Sequence, residues 1–346
     1  MPIDEPISPV LVLSTGRCGS TLVSQMLNKH PEVLSLSEFF ATLGPEIFAH
    51  RRLTGAQLWR IFSCQSAGLR AMFRNGEMVD EGLYPVDDPK ARFSLADVPP
   101  IMTVALPHLT PDYESLYDEL GDVVRPLPAA PLADQLQVVF AFLQKRLSRR
   151  VWVERSGSSL MLARRMLRLF PEARVIHVHR DGRDVALSMA KHHNFRVLVG
   201  GLKRCRALGL DPARAFRSDR GSMADVWFQA LFFRLTDPGK LADGVTDPDL
   251  AAYWSDLIET GLDAFADLPP ERLFTLAFAD LADDPRSRME ALIRFIDPSL
   301  VDEAWLDEVA TMIRPTRSRA ASLPPAQRDA LTQAARPGLS RLGYLP

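Results

Sequence analysis

Short apolar runs alternate along this chain with stretches in which apolar positions recur every three or four residues. The short runs, bounded by turn chemistry, read as buried strands: Pro9 to Leu13, Val151 to Glu154, Arg174 to His179 and Arg272 to Phe278, with Val33 to Leu36 as a shorter fifth. A helical pattern follows each. After the first run, Leu22, Val23, Met26 and Leu27 share a helical face, and Pro31 predicts that this helix stops near Asn28. After the second, Leu160, Leu162, Met166, Leu167 and Phe170 form an apolar stripe beside Arg164, Arg165 and Arg168; after the third, Val185, Ala186 and Met189 do the same. Strands alternating with helices predict an α/β fold whose central sheet is mostly parallel and covered on both faces. Ligands then belong at the carboxyl ends of the strands.

Two segments interrupt this rhythm. The first, about residues 41–132, is helical in places: Leu58, Ile61, Phe62, Leu69, Met72 and Phe73 fit one helix face, while the four prolines between Val98 and Pro111 argue against any regular element there. The second, about residues 192–249, reads as helix and loop. No internal repeat is visible. A single domain over residues 1–346 is expected, with these insertions building an acceptor pocket or lid.

Composition narrows the class. Apolar residues make up 47% of the 346 and charged residues 24%, enough to bury a core and too ordinary for a disordered or low-complexity chain. No apolar run has the length of a membrane span, and Met1 to Val10 carries Asp4 and Glu5 without Lys or Arg, unlike a secretory signal, so a cytoplasmic protein is expected. Cys18, Cys64 and Cys205 are far apart and odd in number, which predicts free thiols and neither a disulfide framework nor a structural metal. The formal net charge of −2 argues against nucleic-acid binding, but it averages a strong asymmetry. Lys145 to Arg183 holds 11 basic residues against 3 acidic ones, and Gly221 to Ala310 holds 6 against 19. Most of these charges belong to solvated helix faces, but the basic centre also suits a small, highly charged anion.

Two loops carry the candidate chemistry. Ser14-Thr15-Gly16-Arg17-Cys18-Gly19-Ser20-Thr21 lies between the first strand and its helix, the context of a phosphate-cradling turn. Small residues admit an anion to the backbone, consecutive N–H groups and the helix dipole favour it, and Ser20 and Thr21 add hydroxyls. Against the P-loop pattern Gly-x-x-x-x-Gly-Lys-Ser/Thr, Ser14 replaces the first glycine, Gly19 and Thr21 fit, and Ser20 occupies the lysine position. A nucleoside triphosphatase would thereby lose its main cation at the transferring phosphate. Arg17 offers charge within the loop instead. In the second loop a strand ends at His179, Arg180 leaves its carboxyl end, Asp181-Gly182 turn, and Asp184 is placed to cap a helix carrying Ser188. Arg180 presents a fork suited to phosphate and Ser188 a hydroxyl one turn into the helix; the competing fate of Arg180 is a salt bridge to Asp181 or Asp184.

These residues resemble the sulfotransferase superfamily. Ser14 to Thr21 is similar to its 5′-phosphosulfate loop. Arg174 to Met189 resembles its 3′-phosphate motif, with Arg180 and Ser188 at the same separation, and Phe278-Ala279-Asp280-Leu281 with Asp284-Pro285 resembles its Tyr-Glu-Asp-Leu…Pro segment. The resemblance implies a P-loop-like three-layer fold and transfer of a sulfuryl group from 3′-phosphoadenosine 5′-phosphosulfate to a small-molecule hydroxyl or amine, with no metal expected. Carried over, Arg17 stands beside the bridging oxygen of the donor, the loop Thr15, Gly16, Cys18, Gly19, Ser20 and Thr21 holds the 5′ phosphate, and Arg180 and Ser188 hold the 3′ phosphate. Arg17 stands where the steroid and phenol enzymes carry lysine and matches the carbohydrate, tyrosyl-protein and many bacterial enzymes. The C-terminal glycine-rich signature of the former is absent, and Arg314-Pro315-Thr316-Arg317-Ser318 is the best substitute, with Arg314 and Arg317 as phosphate contacts.

An acceptor hydroxyl must also lose its proton. Glu38 follows the short second strand in Ser35-Leu36-Ser37-Glu38, and the resemblance to bacterial and tyrosyl-protein enzymes places the base there; a helix-start carboxylate is the plainer reading. His108 is the second candidate. His177 and His179 alternate along a strand and read as packed residues. Arg155, leaving the second long strand, is expected either at the donor sulfate or acceptor, or in a buried ion pair with Glu154 or another acid. Two other readings stay open: a P-loop kinase, in which Asp280 imitates the acid after a strand, and a non-catalytic nucleotide-binding protein, favoured if Glu38 lies away from any pocket. Oligomeric state leaves no mark on the sequence.

Overall fold

The computed structural model describes residues 8–73, 81–210, 218–313 and 317–345. Five strands form one sheet: β1 Val10–Ser14, β2 Val33–Ser37, β5 Val151–Arg155, β6 Arg174–His179 and β7 Leu273–Ala277, in the order β2-β5-β1-β6-β7. Every pairing is parallel, with Val10 opposite Val153 on one side and Arg174 on the other. The first three of these strands are buried throughout, as near-continuous apolar runs covered on both faces require. Two further strands, β3 Arg52–Leu53 and β4 Ala130–Pro131, form a separate antiparallel pair that closes the base of the first insertion. The α/β architecture of a mostly parallel sheet flanked by helices is the expected one.

The chain leaves β1 toward β2 on one side, and later crosses from β5 to β6 on the other side of β1. Connections thus diverge at the carboxyl end of β1, the position at which parallel sheets open a ligand crevice. Helix α1, Ser20–Asn28, starts there and stops where Pro31 demands. Gly182 seats the helix after β6 on the helix 247–265: an ideal Cβ on Gly182 would come within 2.2 Å of the Trp254 ring, so only glycine permits that approach.

The insertions differ from expectation in detail. The face running from Leu58 to Phe73 is split between two helices, α3 (Gly55–Ser63) and α4 (Ala67–Met72). A Thr54–Gln57 capping box starts the first and the Ser66 hydroxyl caps the second. The proline-rich stretch does form short helices, α5 (Pro100–Thr103) and α6 (Ala105–Leu109). Pro100 and Pro107 fall in first turns, where no intrahelical N–H is needed. Among the described residues no helix is long and apolar enough to cross a membrane.

Candidate active site

The turn after β1 is built from left-handed backbone. Gly16, Arg17 and Gly19 have φ of 75°, 55° and 97°. Glycine adopts this region freely; arginine does so at a cost, and of the four described non-glycine residues at positive φ, three (Arg17, Glu38 and Ser158) stand around this one site. The Thr15 and Cys18 side chains turn inward, onto the Gly16 carbonyl at 3.0 Å and the Val178 carbonyl at 3.3 Å, so only their backbone is left for a ligand. Arg17 points outward. Its Nη1 lies 3.0 Å from Glu81 and its Nε 3.5 Å from the Ser188 hydroxyl, so the two separately recognised loops meet.

Ser188 sits on the helix Gly182–Met189, which is capped by Asp181, not by Asp184 as expected; the Asp181 side chain accepts the Arg183 N–H at 2.9 Å. Asp184 has a different task. Buried, it accepts backbone N–H groups of Arg319 and Ala320 at 2.8 and 2.9 Å and the Ser318 hydroxyl at 3.2 Å, and it lies 3.5 Å from Arg180. It thereby ties the C-terminal segment to the second loop. Arg317, exposed, directly precedes that anchor; Arg314 lies outside the described residues. The Arg180 guanidinium also lies 5.0 Å from the centroid of the Phe278 ring.

Glu38 follows β2 in left-handed backbone, φ 56°, and starts α2 (Phe39–Leu43). Its carboxylate accepts the Gly157 N–H at 3.0 and 3.1 Å and a hydrogen bond from Arg155 Nη1. Burial pushes its pKa above the ordinary value, opposed by the Arg155 cation and the Gly157 N–H. Of the two fates expected for Arg155, the structure shows the ion pair, and the acid is Glu38. Glu154, the preceding residue on the strand, faces the Phe40 N–H and Ser156 hydroxyl instead, and burial raises its carboxyl pKa to about 8.

Arg155 also reaches Ser20, with Nε and Nη2 each 3.1 Å from its Oγ, and Thr21 Oγ1. The two hydroxyls expected to face an anion are thus acceptors from an arginine held behind them, and a hydroxyl that accepts keeps its own hydrogen to donate. Charge reaches the loop from Arg155 without a lysine at position 20. Its alternative, a P-loop acid at Asp280, is exposed and paired with Arg288 at 3.4 Å.

A cavity of about 330 Å3 opens between these parts, and Arg17, Glu38, Glu81 and Arg155 all line it. Its other walls come from α2, α4, Met161 and Leu162, the helix His193–Ala207, and Gln229 and Phe233 of the helix Met223–Leu235. A larger hollow of about 650 Å3, beside Gln65, Arg70, Leu95 and Arg234, holds none of the site residues. His108 is outside both. Its Nε2 faces the Ser24 hydroxyl at 3.5 Å, and burial together with the Arg155 cation lowers its pKa to about 4. His177 and His179 are buried in the sheet, His179 against the Tyr344 hydroxyl at 2.9 Å. Glu81 went unnoticed in the sequence because it stands in a polar stretch without periodicity. Phe278, placed within a recognised segment, had been given no role. Among the described residues no group of three or more His, Cys, Asp or Glu side chains converges as a metal site.

No curated protein matches the chain. The chain is similar to several solved structures at low identity. The sulfotransferase domain from the curacin biosynthetic pathway is 15% identical over 98% of this chain and 99% of its own, with TM-score 0.47. Sulfotransferase STF9 from Mycobacterium avium is 17% identical over 98% and 77%, with TM-score 0.44. The sulfotransferase domain from the Synechococcus PCC 7002 olefin synthase is 17% identical over 100% and 98%, with TM-score 0.43. The sequence model of the sulfotransferase domain, by contrast, matches residues 8–319, from the strand before the first turn to the segment anchored by Asp184. The chain therefore belongs to the sulfotransferase domain family.

Proposed function

We propose that this sulfotransferase takes its sulfuryl group from 3′-phosphoadenosine 5′-phosphosulfate and passes it in line to an acceptor hydroxyl, with Glu38 as general base. The observation that carries the reading is the 3.5 Å approach of Arg17 Nε to Ser188 Oγ. It supports reading the turn after β1 and the turn after β6 as one anion-binding region, as a ligand charged at two ends requires. The residues present fit such a ligand. Ser20 and Thr21 hydroxyls face the first turn, Arg180 and Ser188 the second, and Gly19 lets the Phe278 ring close against the first turn. Arg317, beside the Asp184 anchor, adds a cation on the 3′ side.

The donor supplies the activated bond: sulfur separates from the bridging oxygen, whose electron pair leaves with adenosine 3′,5′-bisphosphate, as the acceptor oxygen bonds to sulfur. Arg17 offsets charge on the leaving oxygen. Glu38 receives the hydroxyl proton, and its raised pKa suits that task, since a base works best with a pKa near the working pH. Arg155 holds Glu38, Ser20 and Thr21 in one frame, which is positioning.

The test is a titration of adenosine 3′,5′-bisphosphate, and of ATP with magnesium, against wild type and Arg180→Ala. Tight bisphosphate binding without magnesium that collapses in the variant is expected. Preference for ATP with magnesium overturns the reading.

A further inference from the structure

We infer that the acceptor is an aliphatic alcohol with a long apolar body, not a sugar. The inference rests on the proposed transfer reaction and concerns the cavity that opens onto Glu38. Away from Arg17 and Glu38 its wall is made of Phe40, Leu69, Met72, Phe195, Leu198 and Phe233. The charged side chains that line it are already matched: Arg17 with Glu81, Arg155 with Glu38, Arg165 with Asp225.

Each hydroxyl of the wall already has a backbone partner, and two of the three spend their hydrogen on it. Thr42 Oγ1 donates to the Glu38 carbonyl at 2.9 Å, Ser158 Oγ donates to the Thr15 carbonyl at 3.1 Å, and Ser66 Oγ accepts the Leu69 N–H at 3.2 Å. Asn194 and Gln229 are the remaining neutral polar side chains of the described wall. A sugar brings a hydroxyl on nearly every carbon, and each one buried without a partner opposes binding. An alkyl chain asks for nothing but contact. One hydroxyl at the Glu38 end and an apolar remainder match what the cavity offers. Its volume of about 330 Å3, at roughly 30 Å3 per water-sized unit, holds on the order of ten non-hydrogen atoms.

The probes are 1-hexanol, 1-octanol, 1-decanol and methyl glucoside, titrated calorimetrically into the intact protein, with adenosine 3′,5′-bisphosphate titrated separately. Affinity is expected to rise about fourfold per added methylene and to level off near about ten non-hydrogen atoms. Leu198→Trp should bring the plateau to a shorter chain and Phe195→Ala move it to a longer one; either shift suffices if the other variant fails to fold. Methyl glucoside should not saturate where octanol does, and labelled donor should yield the alkyl sulfate. A flat series, or tighter binding of the glucoside, overturns the assignment. If the bisphosphate binds while the series is flat, the acceptor class alone falls. If the series behaves and the bisphosphate does not bind, the transfer reaction falls and the acceptor role with it.

Discussion

The Phe278 ring stands where a side chain on Gly19 would begin, 2.1 Å from an ideal Cβ, and the Arg180 guanidinium lies 5.0 Å from the centroid of the same ring. One aromatic residue after β7 therefore fixes the bottom of the first turn and seats the cation of the second. Gly19→Ala is expected to cost about 2–5 kcal/mol of stability, from its left-handed φ and from overpacking, and to abolish bisphosphate binding. Adding Phe278→Ala should recover the steric part of the loss but not the backbone part. Urea midpoints of the two single variants and the double variant check this. Simple additivity would mean that the ring is not what excludes a side chain at position 19.

Glu38→Gln separates the base from the frame around it. The amide still accepts the Gly157 N–H but takes no proton, so turnover should fall by about 10²–10⁴, while bisphosphate affinity stays within about threefold. Single-turnover rates and titration on the same preparation measure both. Unchanged turnover removes Glu38 from the role, and an equal fall in both makes it part of the donor frame alone.

Glu81 competes with any anion for Arg17. The pair is about one quarter exposed on each side, so it is worth about 1 kcal/mol or less. Glu81→Gln should therefore tighten bisphosphate binding by up to about fivefold. A second effect follows from charge: burial is the main reason the Glu38 pKa is raised, and Glu81 raises it further. Removing that charge lowers the Glu38 pKa, so the acid limb of the kcat/KM profile should move to lower pH. Movement to higher pH would contradict the assigned coupling.

How much of this was readable beforehand depends on where each constraint comes from. The five sheet strands and α1 were legible because burial on both faces writes itself as continuous apolar runs, and Pro31 stops the helix locally. The placement of Arg17, Ser20 and Ser188 at two turns and their helices was legible because strand, turn and helix N-terminus carry their own punctuation. The partner of Arg155 was not, since Glu38 lies 117 positions away and reaches it only once β2 pairs with β5. Asp184 was misread for a related reason. A carboxylate early in a helix looks like a cap, and only the returning backbone of Arg319 and Ala320 shows what it binds. His108, judged by residue type, faces the Ser24 hydroxyl and does not line the cavity.

Glu154 gives the chain an acid–base liability that the neighbouring Arg155 cation opposes without overcoming. It lies on β5, fully buried, with Oε1 accepting from Ser156 at 2.6 Å and Phe40 at 3.4 Å, while Oε2 has no protein partner among the described residues. Burial raises its pKa from 4.5 to about 8. The folded protein thus holds this proton where the unfolded chain has released it, and stability must fall as pH rises between the two values. Below the lower value both states are protonated and the contribution is complete; above the higher one both are ionised and the loss levels off. At about 1.4 kcal/mol per pH unit the loss between pH 4.5 and 7 is on the order of 3 kcal/mol. Glu154→Gln keeps the Ser156 and Phe40 contacts through its carbonyl and removes the titration. Its unfolding free energy should vary less than that of the wild type between pH 5 and 8, with the two curves diverging as pH rises. Parallel curves from urea denaturation across that range would show that Glu154 is ionised in the folded protein and that its charge is compensated.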